Sequence, residues 1–323
     1  MKELAKKIII SIVFLCLFQF TTSHILQATG KHIKIVVVRS KDQSQYNEAY
    51  DGFVEVLREV GISFQAKMYS LDKIIRPIEE IVDEIGYEKP DLILTIGTTA
   101  AREISQRISD LPIVFSMVLN PKAQGFIQNA DHTVKNLSGV CLDIPLETQF
   151  QILKQSQLHL KRIAVLYHPT GDSVLIGQAE RIAQKFGIKL VTGKINSENE
   201  ILSILKNIGN KSDILWLIPN PYTMSYSSLK YILNFCFSSN FPIIGLSEFH
   251  VKAGALLALR ADYCDNGRQT GDLVVEIIRR DSLADQVIIS PRKIQLFVNK
   301  RTAAKMGIKL PTAILKQVER IYE

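Results

Sequence analysis

One strand-and-helix program is written into this chain nearly twice. Lys34 opens the apolar run Ile35-Val36-Val37-Val38, Gly61-Ile62 follows, then Asp91-Leu92-Ile93-Leu94 and Leu111-Pro112-Ile113-Val114. After Arg162 the order returns as Ile163-Ala164-Val165-Leu166, Gly187-Ile188, Asp213-Ile214-Leu215-Trp216 and Phe241-Pro242-Ile243-Ile244. Such a repeat predicts two similar lobes, and the gap between similar lobes is a natural place to hold a small molecule.

The runs are continuous rather than alternating, the pattern of parallel strands covered by helices on both faces. Strands are expected over Ile33 to Val38, Asp91 to Ile96, Ile113 to Met117, Ile163 to Tyr167, Ile214 to Ile218 and Ile243 to Leu246. Apolar stripes at helical spacing fill the intervals, as in Tyr46 to Val60 and Ser173 to Phe186, and Ser197-Glu198-Asn199-Glu200 reads as a capping box. Strand and helix alternate, so the class is α/β. The tail departs from the repeat: helix over Gly267 to Arg280, strands over Val287 to Ile289 and Ile294 to Val298, then helix again over Ala303 to Met306 and Thr312 to Tyr322. A tail of that kind can cross back between the lobes and make a hinge, with the first crossing near Gly139 to Pro145.

The start of the chain is different in kind. Lys2, Lys6 and Lys7 precede an almost wholly apolar stretch from Ile8 to Phe20, and Thr21-Thr22-Ser23 are small. This predicts a secretory signal peptide over residues 1–23, cleaved after Ser23 or, failing that, Ala28. The apolar stretch is shorter than the ~20 residues of a spanning helix, and no later run is long enough to cross a bilayer. The formal charge of +7 comes partly from that leader, and elsewhere Lys and Arg interleave with Glu and Asp, which predicts a solvated surface and no nucleic-acid face. Cys141, Cys236 and Cys264 are odd in number with no metal-like spacing, so neither a disulfide framework nor a metal site is expected.

In open parallel sheets, the residues just after each strand face the crevice. For the first lobe these are Arg39, Ser40, Gln43, Ser44 and Tyr46, then Gly97-Thr98-Thr99 opening a helix, then Ser116 to Asn120 before Pro121. Gly97 lets a ligand approach the backbone, and the N–H groups of a first helical turn suit a carboxylate or phosphate. For the second lobe they are His168, Thr170, Asp172 and Ser173, then Asn220 and Tyr222, then Ser247 and Glu248. Each has a plainer reading. Thr98 and Thr99 can simply cap, Tyr222 and Tyr226 can be packing residues, His168 is a lone loop histidine, and Arg39 is either an anion clamp or a surface residue. Hydroxyls, amides and tyrosines form a hydrogen-bonding and stacking inventory. There is no Gly-x-Ser-x-Gly elbow, Walker loop, His-Glu-x-x-His or dinucleotide fingerprint, so an enzyme is not expected.

Taken in order, the leader, the duplicated lobes, Leu111-Pro112-Ile113-Val114-Phe115-Ser116 with Asn120-Pro121, Gly267-Arg268-Gln269-Thr270-Gly271 and Leu296-Phe297-Val298-Asn299-Lys300 resemble the ABC-transporter substrate-binding proteins of the tryptophan/tyrosine-binding type. So do Ala303-Ala304, Met306-Gly307-Ile308 and Leu310-Pro311. The resemblance implies a type I periplasmic-binding-protein fold, two Rossmann-like lobes with parallel sheets joined by a three-crossing hinge. Lobe one would be residues 31–141 plus 257–286, and lobe two 142–256 plus 287–323. It further implies an extracytoplasmic monomer that closes on a small ligand and hands it to a membrane permease, with no cofactor. A ligand-sensing module serving a receptor or kinase is the alternative. The ligand would be held by Ser44, Tyr46, Thr98, Thr99, Ser116 and Asn120 from one lobe, and by Thr170, Ser173, Asn220 and Tyr222 from the other. Relatives that bind aromatic amino acids carry an acid before the proline matching Pro121 and another in the loop matching Asn220 to Tyr222. This chain has Asn120 at the first place and no acid at the second, which leaves Asp172 or Glu248 to supply a carboxylate.

Overall fold

Ile33–Arg39 (β1) opens a computed structural model that describes residues 32–73, 77–126, 136–156, 158–280 and 287–323. The expected leader over residues 1–23, with Ser23 and Ala28, lies outside the described residues. Beside β1 lie Phe64–Ser70 (β2), Leu92–Ile96 (β3), Ile113–Val118 (β4) and Leu137–Cys141 (β5). The second half supplies Arg162–Tyr167 (β6), Lys189–Lys194 (β7), Ile214–Trp216 (β8), Ile243–Gly245 (β9) and Leu257–Ala261 (β10). Ile288–Ile289 (β11), Ile294–Asn299 (β12) and Val318–Tyr322 (β13) complete the strands.

The pairing makes the repeat visible. One sheet runs β11-β5-β4-β3-β1-β2 and the other β13-β12-β10-β9-β8-β6-β7, so the orders 2-1-3-4-5 and 7-6-8-9-10 are the same pattern. All pairs are parallel except β10 with β12. Each sheet is covered on both faces, as continuous apolar strands require. Ile35 and Val37 pack under the helices Ser44–Glu59 and Tyr263–Arg280, while Val36 and Val38 face Ile81, Ile85 and Ile104. In the second sheet, Ile163 and Val165 join Phe150 and Trp216, and Ala164 and Leu166 join Leu205 and Ile232.

Three strands that the apolar-run criterion overlooks are β2, β7 and β10. β2 and β7 are sheet edges with mostly polar or exposed residues, so they carry little of the apolar signal. The tail differs too. Thr312 to Tyr322 is a short helix, Thr312–Leu315, followed by β13 at the sheet edge rather than one helix. Ser197 makes no side-chain cap; Glu200 reaches back to the Asn196 N–H instead, at 2.9 Å.

The sequence places crossings at Leu257 and Val287, and the pairing puts them later. β10 lies beside β9 in the second sheet, where Leu257 and Leu259 join the core with Leu296 and Val298, so the chain crosses at Asp262. β11 pairs with β5 in the first sheet, so the return crossing is residues 290–293. The first crossing follows β5, at residues 142–145.

One helix braces all three crossings. Gly52 and Gly267 let the helices Ser44–Glu59 and Tyr263–Arg280 meet backbone to backbone: a Cβ on Gly267 would sit 1.8 Å from the Ala49 carbonyl oxygen, and one on Gly52 2.1 Å from that of Cys264. Next to Gly267, buried Asn266 accepts from the Ser116 hydroxyl (2.9 Å) and the Met117 N–H (3.0 Å), and donates to the Cys141 carbonyl (2.8 Å). Met117 has φ 58, and the β4–β5 register shifts there, so Asn266 takes up an N–H that the ladder drops. Gln269 donates to the Ser290 carbonyl and accepts from the Arg292 N–H, and Lys293 pairs with Asp262 at 2.6 Å. Burial pushes the Asp262 carboxyl up, but its Lys293 and Asp265 N–H bonds and the nearby Lys293 and Arg260 charges outweigh that and hold it below the usual range.

Gly267→Ala is expected to cost about 2 kcal/mol or more, because the clash is with backbone and no side chain can yield; equilibrium urea unfolding measures it. Asn266→Ala, which strands three buried partners, should cost about 2–3 kcal/mol by the same measurement. Ser116→Ala should cost only about 1 kcal/mol.

Candidate functional site

The crevice of each sheet opens where the strand order reverses, between β1 and β3 in one and between β6 and β8 in the other. In the first sheet, the chain after β1 is tied directly to the helix after β3. The Ser40 N–H donates to the Ile96 carbonyl at 2.9 Å, and the Ser40 hydroxyl accepts from the Ala100 N–H at 2.9 Å. Ser40 thus caps the Thr98–Ser105 helix from across the crevice, a role that the helix's own threonines do not take. Gly97 has φ 95, and a Cβ there would meet the Ser40 hydroxyl at 2.6 Å and the Tyr46 ring at 2.7 Å, so glycine is required on both counts. The N–H groups of Thr98 and Thr99 have no partner among the described residues. They point out of the helix N-terminus, where backbone dipoles favour negative charge.

The loop after β4 closes this wall. The Leu119 N–H donates to Thr98 Oγ1 at 3.1 Å and the Asn120 N–H to Asp143 Oδ2 at 2.7 Å. Asn120 sits in the left-handed region with φ 47, and its side-chain carbonyl accepts from the Ala123 N–H. Tyr46 is half-buried beside Gly97, and burial first, then the neighbouring Tyr263 and Asp72, pushes its phenol above the ordinary range. Ser44 and Thr99 are exposed. Ser116 is not part of the wall: it is buried against Asn266, because it lies inside β4 rather than after it. Arg39 is spent on Asn47 and on Asp42, the latter at 3.2 Å.

The second wall repeats the plan with different chemistry. Asp172, buried in the first turn of the Pro169–Lys185 helix, accepts from the His168 N–H at 2.8 Å and from the Asn220 side-chain amide. Asn220 is only 2 % exposed and its carbonyl caps the Tyr222 N–H at 2.9 Å. Asn220 and Asp172 therefore wire the loops after β6 and β8 together and offer a ligand little. What reaches solvent is the ring pair His168–Tyr222, stacked at 4.7 Å and 21°, with Thr170, Ser173 and Tyr226 exposed around it. The Ser173 hydroxyl folds back on the Pro169 carbonyl. Glu248 is held by Arg320, Lys252 and Tyr322 at the edge strand β13, and His250 is a buried partner of Ser247 whose imidazole burial pushes down. Neither acid named as a substitute is free.

No group of three or more potential metal ligands occurs among the described residues, and no helix there is long and apolar enough to cross a membrane. A groove of about 930 Å³ lies on the outer flank, between β2 and the Ser44–Glu59 helix, lined by Tyr50, Val54, Arg58 and Phe64, and touches none of the expected site residues. Ser40, which follows the first apolar run but is not among the expected ligand residues, and Asp143, expected only at the first crossing, each bind a backbone N–H at the crevice. Their signal was position alone, directly after an apolar strand.

Known proteins share this architecture. A tyrosine-binding protein from Clostridioides difficile is 21% identical over 278 residues, covering 84% of this chain and 80% of its own. The structure of an ABC domain in complex with L-Trp from Streptococcus pneumonia superposes with a TM-score of 0.65 at 22% identity, over 90% of this chain and 100% of the other. A ligand-free, open substrate-binding protein with adhesive properties from Clostridium difficile gives 0.74 at 20% identity, over the same shares. The fold is that of type I periplasmic binding proteins, with two α/β lobes, and its family binds substrates rather than transforming them. The model of the ABC transporter substrate binding proteins, an extracytoplasmic family, matches residues 32–321, nearly everything that follows the expected leader, and the chain belongs to that family.

Proposed function

We propose that this protein is the solute-binding component of an ABC importer, exported by its leader, and that it captures an amino acid or related small carboxylate between its lobes for delivery to a membrane permease. The observation that carries this reading is the bare first turn of the Thr98–Ser105 helix. Its two open N–H groups follow Gly97, whose missing Cβ leaves room for Ser40 and Tyr46 to pack against the turn, at the reversal of strand order. The matching reversal in the second sheet presents the His168–Tyr222 stack, a flat surface suited to an apolar or aromatic ligand body. A relative named for tyrosine and a fold neighbour holding L-Trp support the ligand class.

Closure about the three crossings is the working motion. A ligand shifts an open–closed balance only by its differential affinity for the two states, so contacts made to both walls at once drive it. Of the expected ligand residues, Tyr46, Thr98, Thr99, Thr170 and Tyr222 keep this role, and Ser116 and Asn220 serve the walls themselves.

The double substitution Thr99→Ala with Tyr222→Ala should weaken binding by tenfold or more while shifting the unfolding temperature by only a few degrees, since Thr99 is exposed and Tyr222 only half-buried at the edge of its core. Native mass spectrometry of protein purified from its own host identifies the ligand to be titrated. A chain that carries no small molecule and binds no carboxylate by calorimetry would sink the reading. Ser116→Ala should leave affinity unchanged.

A further inference from the structure

The end of the second sheet where its parallel strands begin lies opposite the crevice, and the fold gathers there a charge that the sequence scatters. Six connections form this end: residues 158–162, 184–189, 206–213, 237–242, 252–256 and, because β12 runs back antiparallel to β10, 299–311. They carry eleven lysines and arginines and one acid, Asp213. The first sheet repeats the same strand pattern, yet its connections 58–63, 86–91 and 105–112 hold three bases against four acids. Backbone bonds join the six into one face. The Lys189 N–H donates to the Lys161 carbonyl and the Asp213 N–H to that of Arg162, both at 2.8 Å. Further across, the Leu215 N–H donates to the Pro242 carbonyl and the Asn299 N–H to that of Leu256, both at 2.9 Å.

Little of this charge is met inside the chain. Asp213 takes Arg162, Glu323 takes Lys300 and Glu248 takes Lys252, each at 3.2 Å. Lys161, Lys185, Lys189, Arg301, Lys305 and Lys309 are exposed and form no ion pair among the described residues. The excess is mostly lysine, a mobile point charge without the planar fork that selects one carboxylate or phosphate geometry. Phe237 is the most exposed large apolar side chain of these connections among the described residues, and the Lys305 ammonium lies over its ring at 3.1 Å. A stable protein interface has an apolar centre and is poor in lysine. A broad, lysine-rich face with almost no acid suits a diffuse anionic surface instead, whose attraction sums over many charges.

We propose that this face of the second lobe binds the surface of an anionic lipid bilayer and holds the protein loosely against the membrane, on the side where its extracytoplasmic family works. Face and crevice lie at opposite ends of the same strands, so the bound protein keeps its crevice open to solution. Attraction of this kind falls off within a Debye length, about 8 Å at physiological salt, which makes the hold short-ranged, salt-dependent and reversible. It raises the concentration of the protein beside the membrane. Nucleic acid would meet the same charge but does not share the extracytoplasmic setting. The inference goes beyond solute capture and does not depend on which solute the crevice takes.

The test uses the chain without its expected leader, residues 24–323. Co-sedimentation is measured with vesicles of phosphatidylcholine alone and with about 30 % phosphatidylglycerol added, at about 50 mM and about 500 mM NaCl. At low salt, partition onto the anionic vesicles should exceed that onto the neutral ones by about tenfold or more, and the difference should vanish at high salt. The triple reversal Lys185→Glu, Lys189→Glu and Lys309→Glu should remove about tenfold or more of the binding, and Lys185→Gln, Lys189→Gln and Lys309→Gln an intermediate part. In the first lobe, Lys89→Glu, Lys122→Glu and Arg279→Glu change the net charge equally and should leave most of it. All six side chains are exposed, so each variant should unfold within a few degrees of wild type by circular dichroism. No preference for anionic vesicles at low salt, an equal loss from the two triple reversals, or tighter binding to a DNA duplex than to the anionic vesicles would each overturn the assignment. The reversals at Lys185, Lys189 and Lys309 should leave solute affinity unchanged, so failure of this assignment and failure of the solute-binding reading are told apart.

Discussion

Everything that joins the two sheets depends on the close approach of the Tyr263–Arg280 helix to the Ser44–Glu59 helix. That helix begins just after the chain has left the second sheet at Asp262, yet it packs wholly on the first. Only with glycine at 52 and 267 do the backbones come near enough for Asn266 to reach the ends of β4 and β5. Gln269, one turn on, then holds residues 290 and 292 of the return crossing. The contact is apolar and backbone-deep on one side and a satisfied polar network on the other. Such networks are worth having only when every member is paired, and here the Asn266 amide meets three partners. In the proposed closure the three crossings would bend together, because their bases are fixed in this way.

Much of this was legible in the residues, and the boundary of legibility is physical. β1, β3, β4, β6, β8 and β9 lie inside sheets with both faces covered, so burial writes them as uninterrupted apolar runs. β2 and β7 lie at edges, with one side of the ladder open, and carry lysines and exposed residues instead. β13 is also an edge, and Val318-Glu319-Arg320-Ile321-Tyr322 has too few apolar positions to distinguish strand from helix. The crossings were misplaced by a few residues because a chain can leave a sheet anywhere after its last paired residue. Which sheet claims Leu257 is decided by β9 and β12, not by Leu257 itself.

The site shows the same limit at the level of single side chains. The rule that crevice residues follow the strands points to Thr98, Asn120, Thr170 and Tyr222 because it depends only on where strands end, and these four do lie just beyond β3, β4, β6 and β8. It could not tell which polar groups were already committed. Ser116 is bound by a residue 150 positions away, and Asn220 by one 48 positions away, pairings that no local pattern records. The Gly267 to Gly271 motif carries a family resemblance in its letters, but its mechanical role lies in Ala49 and Val56, which pack against it from more than 200 positions away.

The two walls divide their labour by charge. The first offers the N–H groups of Thr98 and Thr99, which have no partner among the described residues and are costly to leave unmet when water is excluded. The second offers the His168–Tyr222 rings, and the same lobe exposes Tyr226 (83 %) and Phe249 (61 %) on the helices that follow β8 and β9. Apolar surface gains about 25 cal/mol for each Å² removed from water, so covering part of two such side chains is comparable with the few kcal/mol that separate open and closed states in proteins of this kind. In the proposed motion the polar wall therefore selects the ligand and the aromatic wall supplies the drive to close over it. In that proposed motion, closure without a ligand would bury the unmet N–H groups of the first wall, a penalty that would oppose closing of the empty protein.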